Sequence, residues 1–409
     1  MNYILFDDYR RDAFLPLSFT RTVADLLIGL YTNRERWEIH LDSVTSSVTI
    51  DSLRRKYPAI IEDDNILING RLIPSDEVVG EIMKLRAGQK LISGEDVLAM
   101  KIDGERLRNV LGKAEKSESL SYVQVISKSD LSAIQSDFKV RMIENPWDFF
   151  ALNAEVLTND INLLDKGDFK NKSGEDNTYL GDNIFIHKDA EVNGAVLNPK
   201  NGPIVIDEGA EVMEGSLIRG PFYLGKHSAL KMGSKIYGAT SIGEHSKVGG
   251  EVNNSIVNSF SNKGHDGFLG NAVIGSWCNL GADTNNSNLK NDYSIVKLWN
   301  YEKQSFVRSG LQFLGLIMGD HSKCGINTMF NTGTVVGVCS NIYGSGFQPN
   351  FIPSFSWGKP GAYTTYQFEK AMQVAQRVME RRKLNLDGTE ELLLKSVFEE
   401  TEEMRKKFH

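Results

Sequence analysis

From Ile206 to Val248 every sixth residue is a branched aliphatic: Ile206, Val212, Ile218, Leu224, Leu230, Ile236, Ile242 and Val248. The positions between are mostly small, polar or charged. An amphipathic helix would repeat its apolar residues about every three to four positions, and a half-buried strand about every two. A period of six fits neither. It is the signature of a parallel β-helix, in which each hexapeptide makes a short strand and a turn and three of them close a triangular coil. The aliphatic points into the prism. Eighteen residues separate stacked neighbours, so Ile206, Leu224 and Ile242 form one column.

Glycine marks where the prism lies. Residues 1–173 hold eight glycines, residues 174–346 hold twenty-six and the remainder three, as expected if the middle block turns many tight corners. The prism is expected over 178–350, beginning with Leu180, Ile186 and Val192. A corner loop interrupts it at Asn198–Pro203, and its phase shifts through Glu251–Gly267. The phase returns at Phe268, Ile274 and Leu280. After an insertion at about Asn285–Leu311 the repeat ends with Met318, Cys324, Phe330, Val336 and Ile342. That makes roughly nine coils and a prism about 40 Å long.

Before it, residues 1–165 read as an α/β domain. Tyr3–Phe6 and Asn65–Asn69 are short strands, Val23–Leu30 reads as helix, and Ser75 caps a helix reaching about Leu85. A further helix opens at Trp147. This alternation suggests a parallel sheet flanked by helices. Residues 166–177 (KGDFKNKSGEDN) read as a linker. Residues 351–409 form a C-terminal extension with helices, in which Phe368, Met372, Ala375 and Met379 share a stripe that could cover the prism or a neighbouring copy.

Composition narrows the function classes. The net charge of -7 is mixed along the chain, which argues against a general nucleic-acid binder. The three cysteines, Cys278, Cys324 and Cys339, lack metal-like spacing and fit a reducing cytosol. MNYILFDDYRR is too acidic for a signal peptide, and no apolar run nears the roughly 18 residues a membrane span needs. A cytoplasmic protein with no membrane or nucleic-acid partner is the expectation.

Where the hexad phase breaks stands Lys263-Gly264-His265-Asp266-Gly267-Phe268-Leu269-Gly270, followed by Ile274-Gly275, Leu280-Gly281-Ala282-Asp283-Thr284 and Asn288. This run resembles the acetyltransferase half of the bifunctional N-acetylglucosamine-1-phosphate uridylyltransferase/glucosamine-1-phosphate acetyltransferase family. A Bacteroidetes-type variant group is more similar still. It shares Leu15–Arg21, Gly29–Trp37, Ile68–Arg71, Gly249–Val252, Met318–His321 and Ile352–Gly358, marks that span nearly the whole chain. The resemblance implies a Rossmann-like nucleotidyltransferase-type head, a left-handed β-helix, a homotrimer, and acetyl-CoA lying in the groove between two prisms. It makes His265 the general base and Asn288 a substrate contact. Phe268 stands in place of the usual tyrosine and Asn253 in place of a phosphate-binding lysine; with Lys263 they are the remaining candidate substrate contacts. Asp283 replaces a glycine, which leaves the exact sugar open.

The residue types suit the chemistry. An amine attacking the acetyl thioester must lose a proton, and a histidine with an ordinary pKa near 6.5 can take it at neutral pH. Backbone N–H groups at Gly281-Ala282 are candidate oxyanion donors and cofactor contacts. His321, in a Gly-Asp-His turn, is a candidate contact for coenzyme A or substrate, or a structural turn. His227 and His245, eighteen apart, are expected to stack on adjacent coils. Zinc needs three or four ligands and the pair supplies two, so no metal is assigned to the prism.

The head departs from the family. Its first loop, Asp7 to Leu17, has no glycine to cradle phosphates, and Gly70-Arg71 stands where the family's magnesium-binding Gly-Asp would be. Arg10, Arg11, Arg21 and Arg71 are candidate phosphate contacts. Asp7 and Asp8 are the candidate ligands for Mg2+ if the head is active. The leading expectation is an acetyl-CoA-dependent N-acetyltransferase of an amino-sugar phosphate, serving UDP-N-acetylglucosamine-type nucleotide-sugar synthesis. The alternatives are a non-catalytic sugar-nucleotide-binding scaffold and a prism metalloenzyme such as a γ-type carbonic anhydrase.

Overall fold

The computed structural model describes residues 1–115 and 130–408. The chain forms two compact units. One is Met1–Phe14, Thr20–Leu26 and Tyr31–Glu144; the other is Leu15–Phe19, Leu27–Leu30 and Asn145–His409, whose last residue lies outside the described residues.

The first unit is built on a six-stranded sheet. Its strands are β1 (Asn2–Phe6), β2 (Thr45–Val48), β3 (Asp64–Asn69), β4 (Gln89–Ser93), β5 (Asp96–Asp103) and β6 (Ser132–Gln135), in the order β2-β1-β3-β5-β4-β6. β1 runs parallel to β2 and β3. β5 is antiparallel to both β3 and β4, and β6 is parallel to β4. The sheet is therefore mixed rather than parallel, because β4 and β5 form a tight hairpin with no helix between them. β1 and β3 are apolar on both faces and bury nearly every residue. A Thr32–Glu35 capping box starts the helix Asn33–Leu41, and Ser75 caps Asp76–Met83, where its side chain accepts the Val78 N–H. The expected helix over Val23–Leu30 is only a 3-10 turn, Val23–Asp25, followed by extended Leu27–Ile28. Leu26 leaves the turn with extended backbone.

The second unit is the prism. Two of its faces each carry nine parallel rungs: face one runs from Ile184–His187 to Phe351–Ile352, and face two from Glu191–Val192 to Ser356–Lys359. Face three runs from Thr178–Tyr179 to Phe268–Gly270, and Asn285–Asn286 pairs with Met329–Phe330 beyond it. All eight aliphatics of the opening run are buried in one core. Where the phase shifts, coils shorten: Ile236 pairs with Val252, Val248 with Lys263 and Ile242 with Val257. Leu269, not Phe268, then continues the inward column above Val252. The insertion includes a hairpin, Lys297–Asn300 with Ser305–Arg308. Its Trp299 stacks on Phe351 at 4.3 Å and meets Phe408 edge-on at 5.1 Å, which ties the hairpin to the C-terminal helices.

The corner between faces one and two carries a ladder of rings. His227, His245, Phe260, Trp277 and His321 all adopt left-handed backbone, with φ between 55° and 63°. Their successive ring centroids are 5.0, 4.9, 4.2 and 6.2 Å apart and nearly coplanar in orientation. This conformation costs a non-glycine residue about 1–2 kcal/mol, and stacking at the rung spacing offsets it. His227 and His245 stack as expected. Below them Gly209 takes the same conformation, and a Cβ there would come within 2.4 Å of the His227 ring.

Candidate active site

His265 sits on the corner between faces two and three. Asn262–Lys263 is the last strand on face two before it, and Phe268–Gly270 the first on face three after it. The corner is seated on two glycines of the coil below. A Cβ on Gly249 would come within 2.8 Å of the Gly264 carbonyl, and one on Gly250 within 2.9 Å of the His265 carbonyl. Asp283, with φ of 55°, donates its N–H to the Asp266 carbonyl at 3.0 Å. A short polar residue tolerates that left-handed conformation.

On the face-two side His265 lines a groove of about 830 Å3 that reaches Phe260 and Trp277 across the prism. Gly281 and Ala282 form part of its floor. The facing wall is the helix Phe368–Glu380 and its end, through Val374, Val378, Arg381 and Arg382. The tail therefore covers its own prism. Five cations line the groove, Lys231, Lys247, Lys323, Arg381 and Arg382, and no carboxylate does among the described residues. The Gly281 N–H donates to the Cys324 carbonyl at 3.1 Å, so the ladder uses it and it is no oxyanion donor.

On the face-three side, Asn253 pairs in register with Gly270. The Phe268 ring and the Asn288 amide close over that glycine, within 2.5 and 2.7 Å of a Cβ built there. Asn288 donates to Asn271 Oδ1 at 2.8 Å. Asn253, Phe268 and Asn288 thus share one patch beside the His265 corner. Phe268 reaches it because it points outward, which the repeat count had missed.

Two expected contacts lie elsewhere. His321 is 4% exposed, stacked on Trp277 rather than set in the groove wall. Lys263 is 2% exposed and directed into the prism, which removes it from the substrate's path. The cations of the covering wall, Arg381 and Arg382, were missed. Val374 and Val378, one turn apart beside the expected stripe, were the signal.

In the head, Asp8 is saturated. Its carboxylate accepts the Arg10 N–H at 3.0 Å, Asn69 Nδ2 at 2.9 Å, and Arg71 through Nε at 3.0 Å and a second nitrogen at 2.5 Å. A carboxylate has about four lone-pair sites, and all are taken. Arg71, 1% exposed, also bonds Asp96 at 2.9 Å and the Ile143 carbonyl at 3.1 Å. Asp7 is buried and accepts from the Val23 N–H at 3.1 Å and the Thr49 hydroxyl at 2.6 Å. Burial pushes its pKa up to about 6, against the pull of Arg11 and these hydrogen bonds. In this structure both carboxylates are taken up by hydrogen bonds from the protein itself. Arg71 is an ion-pair partner rather than a phosphate contact. Arg10 reaches Glu144 at 3.4 Å, Arg11 pairs with Asp12 at 2.6 Å, and Arg21 is half-buried.

Residues 3–168 match the sugar nucleotidyl transferase family. A bifunctional sugar-1-phosphate nucleotidylyltransferase/acetyltransferase of Sulfurisphaera tokodaii is 26% identical over 355 residues, 76% of this chain and 82% of that one. A bifunctional protein GlmU of Methanococcus aeolicus is 26% identical over 228 residues, 55% of this chain and 48% of its own length. Among solved structures, AntD, an N-acyltransferase from Bacillus cereus in complex with dTDP-4-amino-4,6-dideoxyglucose and coenzyme A, is 13% identical. It matches with a TM-score of 0.21 over 50% of this chain and 91% of its own. The resemblance drawn from the sequence is upheld at modest identity, and the chain is related to enzymes that pair nucleotidyl transfer with acetyl transfer.

Proposed function

We propose that the prism transfers an acetyl group from acetyl-CoA to the amine of an amino-sugar phosphate, of the glucosamine 1-phosphate kind, in the cytoplasm. The groove carries the reading: an imidazole at one end, five cations along its length and no carboxylate suit a ligand bearing several phosphates. The acceptor sits against Asn253, Phe268 and Asn288. Its free amine attacks the thioester carbonyl, and His265 takes the proton that the nitrogen sheds as the bond forms. The C–N bond forms, the C–S bond breaks, and the thiolate leaves to be protonated. Ala282, on the groove floor, is the remaining oxyanion candidate. His265→Ala is expected to lower acetyl transfer from acetyl-CoA to glucosamine 1-phosphate by about 10²–10⁴-fold. Undiminished transfer in that variant would remove the imidazole from the mechanism. We expect a homotrimer, with the exposed Leu180, Leu217 and Tyr237 of face three as the surface to be covered; light scattering that gives a monomer mass would overturn it.

For the head we infer sugar-nucleotide recognition rather than magnesium-dependent transfer, because the Asp8 carboxylate has no acceptor site to offer a cation. Incubation with UTP or dTTP, hexosamine 1-phosphates and Mg2+ is expected to release no pyrophosphate. Release would reverse this reading.

A further inference from the structure

In the coil that carries His265, one interior position holds a lysine. Lys263 pairs in register with Val248, and the next rung of that face, Asn279–Leu280, sends Leu280 into the same core. A column that needed only filling would hold another aliphatic. Burying an ammonium costs several kcal/mol unless it is well bonded. Here it is bonded: Lys263 Nζ donates to the His265 carbonyl at 2.5 Å and to the Asp266 carbonyl at 3.2 Å. Burial lowers the Lys263 pKa to about 8, opposed by Asp266, Asp283 and Cys324. The charge is thus held at a cost, with its donors aimed at two successive carbonyls of one loop.

That loop needs an anchor. His265 is exposed and lies between Gly264 and Gly267, residues that leave backbone loose. A general base must sit within hydrogen-bond reach of the proton it takes, and a misplacement of about 1 Å can cost around 10²-fold in rate.

We propose that Lys263 is a positioning residue, whose ammonium grips the backbone of the His265 corner from inside the prism and so fixes the imidazole for proton transfer. The proposal rests on the reading of His265 as the base. Lys263→Met keeps the length and fills the column without the donors. It is expected to lower kcat for glucosamine 1-phosphate acetylation by about 10–100-fold, with KM for acetyl-CoA within about threefold. In the His265→Ala background the same change is expected to cost nothing further, since both act through one group. Amide hydrogen exchange across 264–267 is expected to quicken about tenfold or more. Wild-type kcat with unchanged exchange in Lys263→Met would overturn the proposal, as would equal losses in both backgrounds. If His265→Ala proves fully active, the base assignment falls, and the exchange measurement still decides whether Lys263 holds the corner.

Discussion

Arg71 and Asp8 form a buried ion pair in the head. Removing one partner of a buried, hydrogen-bonded ion pair typically costs about 3–5 kcal/mol. Arg71→Ala is expected to lower the unfolding free energy of the head by that amount in urea titration, because Asp8 and Asp96 would keep charge without the guanidinium. Asp7 predicts a pH dependence. Its native pKa is raised to about 6, above the roughly 3.9 of an unfolded chain, so the native state holds the proton more tightly between those values. The stability tied to Asp7 is therefore present at low pH and lost as pH rises from about 4 through 6. Relative to Asp7→Asn, the wild-type head should lose about 2–3 kcal/mol across that range. A constant difference between the two proteins from pH 4 to 7 would refute it.

At the scale of the element, the His265 corner depends on two glycines that are not equivalent. Gly267 has φ of +112° and a Cβ there would meet the Thr284 carbonyl at 2.2 Å, whereas nothing lies within 4 Å of a Cβ on Gly264. Gly267→Ala should reduce acetyl transfer at least about tenfold by displacing the corner, while Gly264→Ala should stay near wild type; equal rates would deny the corner its stated geometry. The elements were legible to different depths. The run from Ile206 to Val248 was readable because eighteen-residue coils repeat without error and one aliphatic per hexad has nowhere else to point. The site was not fully readable, because coils of other lengths carry it. Leu269 rather than Phe268 points inward once a coil has shortened, and no fixed period registers that change. Lys263 read as a candidate substrate contact because the two carbonyls that hold its ammonium are brought to it only by folding. The Val23–Leu30 segment has the apolar content of a helix, yet Leu27 and Leu30 donate their N–H groups to Asn258 and Asp160, partners that no local pattern reveals.

Across the whole molecule, the groove draws its walls from residues about 150 positions apart, from Lys231 to Arg382. Deleting 367–409 should raise KM for acetyl-CoA about tenfold or more, since Val374, Val378, Arg381 and Arg382 leave together. It should also expose Phe351 and Trp299, against which Phe408 packs. If the cations act on phosphate, KM in the intact chain should climb between about 50 and 500 mM salt, as screening shortens the reach of charge. A flat salt profile would point to apolar contacts alone.

The two short segments Leu15–Phe19 and Leu27–Leu30 belong to the prism unit although they lie within the first thirty residues. During synthesis they leave the ribosome long before Asn258, which Leu27 binds, has been added. The Leu27 N–H therefore meets Asn258 only after a further 231 residues have been added. Expressing 145–409 alone would produce a prism lacking both, so a half-molecule that keeps the whole unit would have to carry these two segments joined to it rather than be cut at residue 145.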